Sequence, residues 1–339
     1  MKLLGIELAP LAIPFRRRLQ TFCVFQWFMS FLFLGFGMLF LTFYIVLYTN
    51  YYWIPILLYS WTWYDRATPQ RGGRRSEFVR NLSIWKGLAD FFPMKLHKVV
   101  DLDPSKNYVC GFHPHGVFAV GAFANFASEG TGFSKLFPGL KSTLLTLRGQ
   151  FFFPVYRDYI MLSGVCDASR ESVDYLLKEN GTGNMVVIVI GGAIEVLEAH
   201  PGIYNIYLKK RKGFVKKAIE TGTHIIPVYS FGETDIFYQV ANPEGSLWKW
   251  IQRQSKKLMG FPLIAFYGRG VFNYTLGLVP HRRPINTVVG HPIEVEKIEH
   301  PTQEDIDKLH ETYCKQLQQL FEDYKCQFGI PEDNHLDIL

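Results

Sequence analysis

From Leu19 to Tyr64 the chain runs for 46 residues without a charged side chain. About 20 apolar residues suffice for one helix to cross a bilayer, so the run is long enough for two. In outline the passes are Leu19–Leu41 and Phe43–Tyr64, with the break drawn toward Thr49 and Asn50, the most polar point of the second half. Tyr44, Tyr48, Tyr51, Tyr52, Trp53, Tyr59, Trp61, Trp63 and Tyr64 supply amphipathic rings of the kind that settle at the headgroup layer. Arg16, Arg17 and Arg18 precede the run, and Arg66, Arg71, Arg74 and Arg75 follow it. Positive flanks stay on the cytosolic side, so the reading is a hairpin with both ends in the cytosol. A cleaved signal would have an apolar core of only about 7 to 15 residues and a small-residue cleavage site, which this run lacks.

The composition changes after Asp65. Residues 66–75, RATPQRGGRR, read as a basic linker able to lie on anionic headgroups. The chain therefore divides into an N-terminal segment (1–18), the hairpin (19–64), a linker and surface segment (65–98) and a folded domain (99–339). A hydrophobic content of 48% over 339 residues is enough for a substantial core. The five cysteines are widely spaced and never form CxxC, so no disulfide framework or zinc knuckle is expected. Strands are expected at residues 107–112, 184–192, 223–232 and 285–290, with helices over Ser169–Asn180 and Gly213–Thr221 between them. That alternation predicts an α/β domain with a mostly parallel sheet. Thr302 with Asp305 forms a capping box opening a last helix, whose apolar residues from Ile306 to Tyr324 keep helical spacing.

The chemistry concentrates at FHPHGVFAV, residues 112–120. His113 falls just past the end of a predicted strand, where open α/β sheets hold their ligands. Pro114 fixes one φ, and Gly116 permits close backbone approach before a helix expected near Val117, whose first amides could face an anion. A neutral imidazole here could act as general base toward a hydroxyl, with Glu195 of GGAIE as the carboxylate that orients it. A metal site of HxH plus Glu is a second reading, but no further His or Cys stands in a ligand spacing, and no metal is expected. No GxSxG element supports a serine hydrolase. A purely structural turn is the remaining alternative.

KKRKGFVKK, residues 209–217, places six cations in nine residues at a helix start. Arg211 and Lys212 suit the phosphates of a nucleotide-bearing thioester such as coenzyme A, with Gly213 and Phe214 interrupting the cations and Phe214 toward apolar material. The alternative is a solvated or membrane-surface basic patch. A net charge of +6 is modest, and nucleic acid is not an expected partner.

HPHG (113–116), FPVYRDYIM (153–161), GGAIE, RKGF, PVYSFGE (227–233) and GRGVF (268–272) together resemble the diacylglycerol acyltransferase type two family over nearly the whole chain. Within it, the short N-terminus and the run from Asp101 to Phe126 are most similar to 2-acylglycerol O-acyltransferases. The resemblance implies a glycerolipid-acyltransferase-like domain behind the hairpin, in an endoplasmic-reticulum membrane enzyme that also reaches lipid droplets. Its substrates would be acyl-CoA, a co-substrate rather than a cofactor, and a monoacylglycerol or diacylglycerol. The resemblance further implies essential histidines at His113 and His115, and substrate contacts at Gly116, Arg157, Arg211, Lys212, Gly213 and Phe214. Oligomerisation and association with other lipid-synthesis enzymes are left open. Distantly similar glycerophosphate acyltransferases pair His with an Asp beyond four intervening residues. Here those places hold Phe118 and Val120, so the orienting group must come from elsewhere.

Overall fold

The computed structural model describes residues 2–3, 6–10, 12–240, 243, 245–259 and 263–339. Helix α1 runs from Phe15 to Tyr48, a single helix long and apolar enough to cross a membrane. It is α-helical to Ser30, passes through a π-helical stretch over Phe31–Gly37, and is α-helical again from Met38. Thr49 ends it in extended backbone, and α2 follows over Trp53–Tyr64. Twelve residues reach roughly 18 Å, short of the roughly 30 Å hydrocarbon layer. In place of the expected pair of passes stand one long helix and a short second one. The reason is local: apolarity fixes what lipid will accept, whereas the turn falls where Thr49 and Asn50 first interrupt the helix.

The two parts of α1 behave differently. Its first half buries Cys23, Val24 and Phe28 against α3, residues Ser83–Phe91, which contributes Leu88 and Phe91. The helices approach closely at Gly87, where an added Cβ would lie 2.4 Å from the Cys23 sulfur. From Met38 to Tyr48 nothing is buried. The aromatic segment at 151–156 docks on the π-helical stretch, with the Phe153 ring 5.4 Å from Phe36.

The central sheet has seven strands. In chain order they are β1 (Lys95–Lys98), β2 (Tyr108–His113), β3 (Lys141–Thr146), β4 (Val165–Asp167), β5 (Asn184–Val189), β6 (His224–Phe231) and β7 (Asn286–Val289). Their spatial order is β1-β7-β6-β2-β5-β3-β4, and all neighbours are parallel except β6 and β7. Four were expected. β1, β3 and β4 were not: β1 (KLHK) and β4 (VCD) are only four and three residues long, and β3 (KSTLLT) opens on a lysine and two hydroxyl residues. Segment 65–98 thus supplies both α3 and an edge strand to this body.

Both faces of the sheet are covered, which explains the near-continuous apolar strands. On β2, Val109 joins the core formed with α4 (Gly213–Thr221) and α5 (Gln303–Lys325), while Tyr108, Cys110 and Phe112 join the opposite one with Phe126 and Phe133. The Thr302–Asp305 capping box opens α5 as its sequence requires. The helix expected over Ser169–Asn180 is α-helical over Arg170–Asp174 and continues as a π-helix over Tyr175–Glu179.

Candidate active site

β2 delivers His113 at the carboxyl edge of the sheet, followed by a cis bond to Pro114. Gly116 then adopts φ +57°. An added Cβ there would meet Glu233 Cγ at 2.8 Å and the Glu233 carbonyl oxygen at 2.9 Å, so no larger residue fits. Ala119 is also left-handed, which delays the helix to Val120 rather than Val117. The amide of Gly121 donates to Glu233 Oε2 at 2.9 Å. The acceptor at this helix start is therefore the chain's own buried Glu233 carboxyl group, whose pKa burial pushes up to about 7.

The two imidazoles differ in environment. His113 is fully buried, with Nε2 3.0 Å from Tyr313 Oη. That hydroxyl donates to the Gly111 carbonyl at 3.1 Å, so its lone pair receives the ring N–H and Nε2 carries the proton. Nδ1 is left buried without a partner. Burial pushes the His113 pKa down to about 3, which keeps the ring neutral. Tyr313 fits against the strand only because residue 111 is glycine: an added Cβ would sit 2.0 Å from its hydroxyl oxygen.

His115 is half-buried. Its Nδ1 lies 3.1 Å from the Gly116 carbonyl oxygen. Donation to that carbonyl places the proton on Nδ1 and leaves an unprotonated Nε2. Burial lowers its pKa below the usual imidazole value. His115 therefore presents the basic lone pair.

Among the described residues, Glu195 hydrogen-bonds to neither ring. One of its oxygens accepts the main-chain amide of His115, and the other accepts that of Tyr207 at 3.0 Å. It braces the turn, and the tautomer of His115 is set by the Gly116 carbonyl instead. Burial pushes Glu195 up to about 7 against the lowering effect of those two amides and of the Arg211 charge. Gly191 makes room for the carboxylate, since its Cβ would fall 1.9 Å from Oε2.

The expected substrate contacts separate. Arg211 reaches the same loop, with Nη2 3.5 Å from the Gly191 carbonyl oxygen. Lys212 is turned away and pairs with Asp307 at 2.7 Å. Gly213 is the first residue of α4. Phe214 is buried, its ring edge-on to Tyr313 at 5.0 Å, and so supports the residue that holds His113. Beside Lys209 and Lys212 lies an open cleft of about 580 Å³, lined also by Asp307, His310 and Cys314. Arg157 does not reach the histidines. Its guanidinium donates to Asp65 Oδ2 at 2.8 Å and to the Asp65 and Thr62 carbonyls at 2.9 and 3.3 Å, where it closes the end of α2.

Two site residues escaped the sequence reading. Tyr313 looks like any apolar position on an amphipathic helix. Glu233 closes the PVYSFGE motif, which was its only signal. It is fully buried and ends a directional chain in which Asn125 donates to Thr287 (2.8 Å), Thr287 to Ser230 (2.9 Å) and Ser230 to Glu233 (3.3 Å). The family model described as Diacylglycerol acyltransferase matches residues 44–339. The chain belongs to the diacylglycerol acyltransferase family. This acyltransferase chain is 48% identical over 331 residues to 2-acylglycerol O-acyltransferase 1 of Bos taurus, covering 98% of each. The human protein of that name is 47% identical over the same length, again covering 98% of each. Diacylglycerol O-acyltransferase 2 of Danio rerio is 48% identical over 323 residues, covering 95% of this chain and 89% of the other.

Proposed function

We propose that the protein is an acyl-CoA-dependent O-acyltransferase that converts a 2-monoacylglycerol to a diacylglycerol in glycerolipid synthesis. The observation that carries the mechanism is the free Nε2 of His115, with its Nδ1 held by the Gly116 carbonyl. That lone pair removes the proton of an acylglycerol hydroxyl as its oxygen attacks the thioester carbonyl. The C–S bond then breaks, the acyl group stays on the new ester, and coenzyme A leaves as a thiolate that takes up a proton. Among the described residues, the amides of Gly116, Val117 and Phe118 have no acceptor, and they are the donors available to the developing oxyanion. Arg211 and the cleft beside Lys209 and Lys212 suit the phosphates of coenzyme A. The setting is the endoplasmic-reticulum membrane, with the catalytic domain on the cytosolic side where acyl-CoA is met.

The test is acyl transfer from labelled oleoyl-CoA by microsomes expressing the chain, offered 2-monoacylglycerol, diacylglycerol or a long-chain alcohol. Diacylglycerol formed fastest from monoacylglycerol, and a loss of at least about 10²-fold in His115→Ala, are expected. Full activity in that variant would overturn the assignment of the base. Triacylglycerol as the main product would keep the reaction and move the acceptor to diacylglycerol, a reading favoured by the equal identity to the Danio rerio relative.

A further inference from the structure

Three arginines meet beside the first turns of α1. Arg17 lies on α1, and Arg269 and Arg282 come from the segment between β6 and β7. Arg282 donates to Gln20 Oε1 at 2.6 Å, and Arg269 donates to Thr21 Oγ1 at 3.2 Å. Both guanidiniums lie over the Phe91 ring, at 4.2 and 5.4 Å from its centre, and that of Arg269 also lies over Tyr274 at 5.3 Å. They are thus held in place by neutral partners. Elsewhere the buried arginines meet carboxylates: Arg80 pairs with Glu129 and Arg157 with Asp65. Among the described residues no carboxylate pairs with Arg17, Arg269 or Arg282. The Nε of Arg269 is buried and has no acceptor. Burial, then the charges of Arg269 and Arg17, push Arg282 down to about 10, as expected where like charges share a site without a counterion.

The surroundings say which anion would suit. Fixed guanidiniums with unused donors match the several oxygens of a phosphate better than a single carboxylate. The same segment also exposes Phe272, Leu276 and Leu278, and Phe272 is 75% exposed. A free phosphate has no use for that apolar flank, but an amphiphile does. The flank is fastened to α1 just where the uncharged run begins, which puts it at a leaflet surface once α1 is in a bilayer. We propose that Arg17, Arg269 and Arg282 bind the phosphate headgroup of an anionic glycerophospholipid, whose acyl chains lie along Phe272, Leu276 and Leu278. The site is separate from the histidine turn and takes a lipid that is not a substrate.

The test uses the purified full chain in detergent mixed with dioleoylphosphatidylglycerol or dioleoylphosphatidylcholine, and counts lipid retained per chain by native mass spectrometry. Selective retention of phosphatidylglycerol is expected, falling at least about tenfold in the Arg269→Gln, Arg282→Gln double variant, which removes two of the three charge-assisted contacts. Retention unchanged in the double variant would overturn the proposal. So would displacement by millimolar inorganic phosphate or adenosine bisphosphate, which would mark a soluble-anion or nucleotide site. Should the double variant not fold, Phe272→Ser with Leu276→Ser decides, because both side chains are exposed. Weaker retention in this variant supports the bound acyl chains, and unchanged retention refutes them.

Discussion

Replacing Tyr313 by Phe deletes one oxygen at a point where three buried groups converge. The ring keeps its packing on Phe214, and the volume barely changes. What is lost is the acceptor for the His113 Nε2 proton at 3.0 Å and the donor to the Gly111 carbonyl at 3.1 Å. His113 and Tyr313 are fully buried, so water does not readily replace the hydroxyl. A buried polar group stripped of its partner costs about 1–3 kcal/mol, and two such groups bring the total to about 2–6 kcal/mol. Part of it appears as lower thermal stability. The remainder appears in turnover, because His113 is released from the geometry that positions the turn bearing His115. A fall in kcat of roughly tenfold with KM for oleoyl-CoA unchanged is expected, since about 1.4 kcal/mol is one decade. The assay is steady-state acyl transfer by the purified chain, run beside His113→Ala and the double variant. If the hydroxyl acts only through His113, the double variant is no slower than His113→Ala alone. Additive losses, or wild-type kinetics in Tyr313→Phe, would refute this account.

Two pH effects follow from the buried groups. His115 has its pKa lowered from 6.5 by burial, so its base form persists below that value and the acid limb of kcat/KM should fall below pH 6.5, a limb absent from the residual activity of His115→Gln. Glu195 is raised from 4.5 to about 7, so the folded state holds a proton that the unfolded chain releases. Its contribution to stability is complete below pH 4.5 and is lost as pH rises through 7, and Glu195→Gln should flatten that part of a thermal-midpoint profile. Arg157→Leu should lower stability by about 3 kcal/mol, at the lower end for a broken buried pair because Arg74 remains with Asp65, while leaving KM for acyl-CoA unchanged. A raised KM at normal stability would instead place Arg157 at the substrate.

How far the sequence could be read depended on the range of the interactions. The capping box at Thr302, helix α4 and strands β2, β5, β6 and β7 are specified by neighbours within a few residues, and they appear within one to three residues of their expected bounds. HPHG falls at the carboxyl end of β2, where its position after a predicted strand puts it for the same reason. Glu195 came to the right place but onto the main chain of His115, because spacing reveals which segments meet and not which atom a carboxylate finds. Tyr313 stands 200 residues from His113 in the chain. Only the close approach allowed by Gly111 joins them, and nothing local announces it. Arg157 meets Asp65 for a related reason, since an arginine inside a family motif can serve the fold as readily as the substrate.

Residues 15–37 of α1 are packed on the folded domain, and residues 38–48 are bare. Phe118, in the reactive turn, packs edge-on against Phe28 of that helix at 4.9 Å. Phe28 lies eight residues beyond Gln20, or roughly 12 Å along the axis. With α1 in a bilayer, the histidine turn would therefore keep a fixed level relative to Gln20 near the start of the helix. Lengthening the bare part after Met38 would move the far turn and leave that level alone. Inserting residues between Gln20 and Phe28 would break the register in which Gln20 meets Arg282 and Phe28 meets Phe118.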